Sequence, residues 1–307
     1  MMTDGIGITV LLSSYNGEKY IEEQIGSILS QSGVNVQLIV RDDGSTDKTR
    51  EILARLAVEN SNLSFIPGEN VGVIKSFFEL IRHAQSSSPY YALADQDDVW
   101  RADKLSHAVS ELRKYSSENF LLYCSAVEFV DEHLHHLGNS QRLSLDNIGF
   151  KNALVQNVAT GCTMVLNDAA LSKIASKLPQ NCVMHDWWIY LVISAFGVVI
   201  YDPEPTMQYR QHNQNVLGVT LSVTNKMKRR MTRILNGNST RISTQLQEFN
   251  QIFGAELSAA HRKIIQIMLL SKENFFLRLR LIFSKVFQRQ SFIDGALIRL
   301  IMLVGKF

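Results

Sequence analysis

Cysteine is scarce in this chain. Cys124, Cys162 and Cys182 are its three, none in a CxxC pair, and the odd number leaves one over. That argues against a disulfide framework and fits a reducing compartment. Long apolar runs are missing too: none reaches the roughly 18 residues that would cross a bilayer. The opening Met-Met-Thr-Asp-Gly has no basic stretch followed by an apolar one, so no signal peptide is expected. Internal repeats, low-complexity linkers and any known nucleic-acid-binding motif are absent as well, and no nucleic-acid partner is expected.

What is present is globular. The 307 residues are 46% hydrophobic and 20% charged, enough to bury a large core and to hold a catalytic domain with an appendage. The net charge of +2 hides an asymmetry. Residues 1–225 hold 16 Lys and Arg against 25 Asp and Glu, whereas residues 226–307 hold 15 against 4. Two parts with different surroundings are implied.

The first hundred residues alternate short apolar strands (Ile8–Ser13, Val36–Val40, Leu63–Ile66, Tyr90–Ala94) with amphipathic helices, the first carrying Ile21, Ile25, Ile28 and Leu29 on one face. This is the βαβ rhythm of a mostly parallel sheet flanked by helices, whose ligands gather at the carboxyl ends of the strands. Three polar clusters fall at such ends: Ser13–Asn16, Asp42–Ser45 and Asp95–Asp98. Strands are expected at Leu121–Val130, Thr163–Leu166 and Val198–Tyr201, a helix from near Asp186, and helices alone from about Asn225.

The run Tyr90–Trp100 ends a buried strand in three carboxylates within four residues, Asp95, Asp97 and Asp98, around Gln96. Like charges that close repel and are costly to desolvate. A hard divalent cation, Mg²⁺ or Mn²⁺, offsets them and also takes phosphate oxygens from a substrate; a solvated acidic turn is the plainer alternative. Asp42-Asp43-Gly44-Ser45 follows a strand directly, and a carboxylate there can accept from a base imide or a ribose hydroxyl, or else simply close an Asp-rich turn. In Met184-His185-Asp186-Trp187-Trp188 an acid opens a helix beside two large aromatics. Asp186 can be a helix cap or a shielded general base, and Trp187 and Trp188 would suit the apolar face of a sugar. Tyr209–Asn215 carries His212, which could fold back over a metal–diphosphate. Toward the end, Phe275, Phe276, Leu279, Ile282, Phe283, Val286 and Phe287 form one helical stripe, with Arg278, Arg280, Lys285 and Arg289 off it. With Lys226–Arg230 upstream, this suggests either a monotopic membrane contact or a bundle packed on the catalytic domain.

Taken together, Val10–Gly17, Arg41–Asp47, Asn70-Val71-Gly72, Asp95–Asp98 and His185-Asp186 resemble a family 2 glycosyltransferase of the GT-A fold, over roughly residues 6–217. Ala94–Trp100, Met184–Trp188 and Tyr209–His212 look most like the rhamnosyltransferase branch of bacterial surface-polysaccharide synthesis; Ser13 stands where the family commonly has Pro. The resemblance implies an α/β catalytic domain over 1–220, with a nucleotide-sugar half to about 100 and an acceptor half from 101, then a basic helical region over 221–307. It implies that Ser13, Tyr15, Asn16, Asp42, Asp43, Asp95 and Gln96 hold the nucleotide sugar, and that Asp97 and His212 hold Mn²⁺ or Mg²⁺. Asp98, His185, Trp187 and Trp188 would meet the acceptor, and Asp186 would be the base of an inverting transfer. The donor implied first is dTDP-L-rhamnose, with a UDP-hexose as rival; the acceptor is a glycan or a lipid-linked glycan. The location expected is cytoplasmic, at the inner face of the cytoplasmic membrane.

Rival readings differ in class. Asp95-x-Asp97 after an apolar strand formally fits a haloacid-dehalogenase-type phosphatase with Asp95 as nucleophile, but no Gly-Asp pair follows and Asp42–Ser45 would have no task. Gly5-x-Gly7 precedes the first strand where a nicotinamide fingerprint should follow it. A non-catalytic carbohydrate-binding protein would lack metal-dependent sugar-nucleotide binding.

Overall fold

A computed structural model describes residues 5–84, 87–212, 238–284 and 286–305. Its strands are β1 Ile6–Ser14, β2 Val34–Asp42, β3 Leu63–Pro67, β4 Tyr90–Ala94, β5 Val99–Trp100, β6 Leu121–Ser125, β7 Glu128–Val130, β8 His136–Asn139, β9 Val165–Asn167, β10 Val198–Asp202 and β11 Met207–Arg210. Its helices are α1 Ile21–Leu29, α2 Thr49–Glu59, α3 Val73–His83, α4 Lys104–Leu112, α5 Phe150–Ala153, α6 Asp168–Ala175, α7 His185–Phe196, α8 Asn238–Phe253, α9 Ala259–Leu270, α10 Phe275–Ile282 and α11 Phe292–Leu303.

The chain divides into two compact units. The first gathers residues 1–142, 159–178 and 197–213 around a seven-stranded sheet of order β10-β6-β9-β4-β1-β2-β3 and a four-stranded sheet of order β5-β11-β7-β8. Ile8, Val10, Leu11 and Leu12 of β1 are all fully buried, because helices cover both faces of a parallel sheet and leave no strand position for water. Ile21, Ile25 and Ile28 of α1 recur at helical spacing and are buried by the same core. The expected mostly parallel sheet is present, with β9 inserted antiparallel between β4 and β6.

One expected strand is two. Leu121–Val130 breaks after Ser125, and β6 and β7 pair in different sheets. The step between them is held sideways: Ala126 N–H donates to the Asp202 carbonyl, and Val127 N–H to Ser140 Oγ. An unbroken apolar run carries no mark of such a turn.

The second unit comprises residues 143–158, 179–196 and 214–307. The helical part therefore does not begin near residue 221; it recruits α5 and α7 from within the expected acceptor half. Trp188 of α7 packs edge-on against Phe249 of α8 at 5.8 Å between ring centres, and lies 6.2 Å from Phe253. The expected single stripe from Phe275 to Phe287 is also divided. Helix α10 stops at Ile282, Phe287 is fully buried, and Phe275, Phe276 and Phe283 are exposed. Arg278 caps α9 through the Ser271 and Lys272 carbonyls, and Arg299 bonds the Ile282 carbonyl and lies 5.0 Å over the Phe287 ring. The basic cluster Lys226–Arg230 and Lys285 lie outside the described residues. No helix among those described is long and apolar enough to cross a membrane.

Candidate active site

Sheet register brings the three polar clusters together. Ser14 of β1 stands opposite Asp42 of β2, and Leu12 stands opposite Ala94 of β4, so the three chains leave the sheet side by side at their carboxyl ends. The loops after β1 and β2 then interlock. Asn16, in the left-handed region at φ 51°, donates its N–H to Ser45 Oγ at 2.9 Å and accepts from Thr46 N–H at 2.8 Å. Gly17 N–H donates to Thr49 Oγ1, Glu18 N–H to Asp47, and Lys48 N–H returns to the Glu18 carboxylate. Asn tolerates such a backbone better than most residues.

Asp42 and Asp43 are consumed by this framework. Asp42 is fully buried; it accepts from Gly44 and Ser45 N–H, the Ser45 hydroxyl and Arg50 Nε. Asp43 accepts from Val71 N–H at 2.9 Å, Gly72 N–H at 2.8 Å and Arg41 Nη1 at 2.6 Å. Gly44 lies at φ +82°, and a Cβ there would come 2.7 Å from the Asn70 backbone nitrogen. The Ser13 hydroxyl is bonded to Ser76 Oγ at 2.7 Å. Of the residues expected around the nucleotide, Tyr15 stands out as open, at 46% exposure.

Gln96 works as a strap. Its amide accepts Tyr15 N–H at 2.7 Å and donates to the Tyr15 carbonyl at 3.0 Å, in the manner of a short strand pair. A Cβ on Gly17 would come 2.5 Å from the Gln96 amide oxygen, so a larger residue there would displace this strap. Gln24 holds the Asp95 carbonyl at 3.0 Å.

The carboxylates separate into two arrangements. Asp97 Oδ2 lies 2.7 Å from His212 Nε2, both side chains about one-seventh exposed (14% and 13%). Asp95, Asp98 and Cys162 form a second, deeper group whose ligand atoms all fall within 4.8 Å of one another. Asp98 is 1% exposed; Oδ1 accepts Arg210 N–H at 3.1 Å, and the Cys162 thiol adjoins the carboxylate. Burial, then the Asp97 and Asp95 charges, raises its carboxyl well above the usual range. Asp98 is thus an interior group, and the expected contact with an acceptor is not one it can make. Nearby, the fully buried Lys104 lies 4.7 Å over the Trp100 ring and has its ammonium pulled down to about 8 by desolvation. Cys162, Lys104 and Arg210 were not legible as site residues: Cys162 was merely an odd cysteine and Arg210 a neighbour of His212.

In the second unit, Asp186 sits in the first turn of α7, 7% exposed, with Oδ1 accepting Trp187 N–H at 2.6 Å. His185 is 5% exposed, and burial brings its imidazole down to about 3, so it is neutral at working pH. Trp187 donates Nε1–H to the Ala153 carbonyl at 2.7 Å. Trp188 is fully buried. The expectation that Trp188 stacks on an acceptor is corrected: paired tryptophans looked too polar for a core, but Phe249 and Phe253 supply the apolar partners that take its ring inside.

Residues 9–173 match Glycosyl transferase family 2. The chain belongs to that family. It is 31% identical over 235 residues to the dTDP-rhamnosyl transferase RfbG of Shigella flexneri, covering 71% of this chain and 77% of that protein. Among solved structures it resembles TarS of S. aureus in complex with UDP-GlcNAc, with TM-score 0.57, 15% identity, and coverage of 89% of this chain and 83% of that one. It also resembles the mannosyltransferase PcManGT of Pyrobaculum calidifontis in complex with GDP-Man and Mn²⁺, with TM-score 0.54, 15% identity, and coverage of 97% and 85%. The fold is GT-A and the protein is a glycosyltransferase, which removes the phosphatase, nicotinamide and non-catalytic readings.

Proposed function

We propose that this glycosyltransferase transfers a sugar with inversion, in bacterial surface-polysaccharide synthesis, from a nucleoside diphosphate donor, dTDP-L-rhamnose, to a hydroxyl of a glycan or lipid-linked acceptor. The observation that carries the reading is the paired Asp97 carboxylate and His212 imidazole at the carboxyl end of β4, beside the Asp95–Asp98 group. The 31% identity to a dTDP-rhamnosyl transferase supports the choice of donor.

The donor set fits a divalent cation. Asp97 and His212 offer oxygen and nitrogen ligands at a shallow position, and Asp95 is partly exposed beside them. Mn²⁺ or Mg²⁺ held there would supply Lewis-acid stabilisation of the charge on the departing diphosphate. The chain's own residues do the remainder. Tyr15, fixed by Gln96, borders the nucleotide; Asp95 lies toward the ribose; Asp42 and Asp43 hold the loop that recognises the base. Asp186 removes the proton from the acceptor hydroxyl as its oxygen attacks the anomeric carbon, the sugar–diphosphate bond breaking in the same displacement. Trp187 supports the acceptor.

The C-terminal helices are proposed to rest on the cytoplasmic membrane face. The outward residues of α11, Phe292, Ile293, Ala296 and Leu300, are all apolar and are continued by Val304, while the sequence from 226 onward is strongly basic. An apolar stripe flanked by cations suits an anionic lipid surface.

The deciding experiment is a thermal-shift panel of dTDP-L-rhamnose, UDP-GlcNAc, UDP-glucose and GDP-mannose with Mn²⁺. The dTDP sugar should stabilise the wild-type protein most, and Asp97→Ala should abolish the Mn²⁺-dependent part. A larger shift with a UDP sugar replaces the donor; an unchanged Asp97→Ala response removes the metal role.

A further inference from the structure

Arg210 closes β11, is 2% exposed and spends its side chain on three separate pieces of chain. Its Nε–H donates to the Asp97 carbonyl at 2.8 Å, its Nη1–H donates to the Glu132 carbonyl at 2.6 Å, and its Nη2 pairs with the Glu23 carboxylate. The guanidinium carbon lies 4.5 Å from the Tyr20 ring centre, and the same ring lies 5.2 Å from the His212 ring. Its backbone N–H meets Asp98 Oδ1. One residue thereby holds the backbone of Asp97, the side chain of Asp98 and, two residues along the chain, the approach of His212.

A buried guanidinium is costly unless its donors are met. Here they are spent on α1, on the turn after β7 and on the carboxylate motif, so that α1 is tied to the ends of strands in the β5-β11-β7 ladder. A planar fork with fixed donor directions can do this, whereas an ammonium on a flexible stem cannot reproduce three directions at once. The Asp97 backbone is thus held from behind by Arg210, while its carboxylate meets His212 at 2.7 Å.

We propose that Arg210 is a positioning residue that sets the Asp97–His212 pair for its cation, its guanidinium acting through the Asp97 carbonyl and the Tyr20 ring. The inference rests on the reading above that Asp97 and His212 hold a divalent ion, and it adds the element that determines how tightly.

The test reads metal binding directly, by electron paramagnetic resonance of free Mn²⁺ titrated into the full-length protein with saturating dTDP. Asp97→Asn should lose the site. Arg210→Lys should weaken Mn²⁺ about tenfold or more, while dTDP affinity without metal stays within twofold. Glu23→Gln, whose side chain is half exposed and which should therefore fold, should weaken Mn²⁺ about threefold by releasing one arm of the fork. It stands in should Arg210→Lys fail to fold. Wild-type Mn²⁺ affinity in folded Arg210→Lys, or in Glu23→Gln alone if Arg210→Lys does not fold, with Asp97→Asn defective, overturns the positioning role. Wild-type affinity in Asp97→Asn overturns the metal reading and this inference together.

Discussion

At the scale of single residues, neighbouring side chains of like chemistry have opposite fates. Asp97 reaches a shallow position against His212 while Asp98 is turned inward to Arg210 and Cys162; Trp187 keeps a polar partner while Trp188 vanishes into a ring cluster. Sequence identifies the carboxylate cluster because charge repulsion must be offset somewhere, but direction of the side chain is fixed by partners distant along the chain, His212 and Arg210 lying 115 and 112 residues away, which no local pattern encodes. Asp186 is the residue whose chemistry can be isolated. Asp186→Asn keeps the volume and the Trp187 N–H contact but has no basicity, so nucleotide-sugar binding should remain within about twofold. Turnover of the acceptor should fall by about 10²–10⁴, the usual reach of a general base. Radiolabelled sugar transfer measured beside donor affinity checks it, and wild-type turnover places the base elsewhere.

At the scale of elements, the alternation of strands and helices through residue 100 was legible because period-2 and period-3.6 patterns each repeat cleanly there. The fold of Leu121–Val130 into two sheets and the antiparallel β9 were not, since pairing partners set strand direction. The C-terminal stripe was read as one face of one helix; the break after Ile282 instead sends Phe287 inside and leaves Phe283 out. Arg278, expected off the stripe, is spent on the Ser271 and Lys272 carbonyls, and Arg299 on the Ile282 carbonyl. The surface proposed to face the membrane is then the outer side of α11 with Phe283. Replacing Phe292 and Ile293 by Asp alters residues that are 91% and 63% exposed and should leave the melting temperature within about 2 °C. Co-sedimentation with vesicles containing phosphatidylglycerol should fall at least tenfold. If the wild-type protein does not sediment with those vesicles, the stripe serves a protein partner.

At the scale of the whole chain, the boundary expected near residue 220 is crossed twice, since residues 143–158 and 179–196 belong with the C-terminal helices. Composition locates the charge asymmetry but is blind to such interleaving. Helix α7 is the reason it matters: Trp188, Ile189, Tyr190, Leu191, Val192 and Ile193 are all fully buried. Each large apolar side chain exposed to water costs about 1.5–3 kcal/mol. A chain truncated after residue 213 should therefore lose cooperative thermal unfolding and bind the dye ANS at room temperature. A sharp melt and no dye binding would show that the catalytic unit stands alone, as the sequence first suggested.

The interlocked loops after β1 and β2 have a consequence for time rather than for contacts. The amides of Asn16, Gly17, Glu18, Thr46 and Lys48 each donate to a side chain of the opposite loop or its own fold-back partner. Such amides exchange with deuterium only when the lattice of loops opens, so they should be protected in the protein without any nucleotide. If these loops bind the nucleotide as proposed, they are already ordered before it arrives and have little conformational entropy left to lose. Its association would be governed by encounter and its selectivity by fit, with no slow ordering step between them.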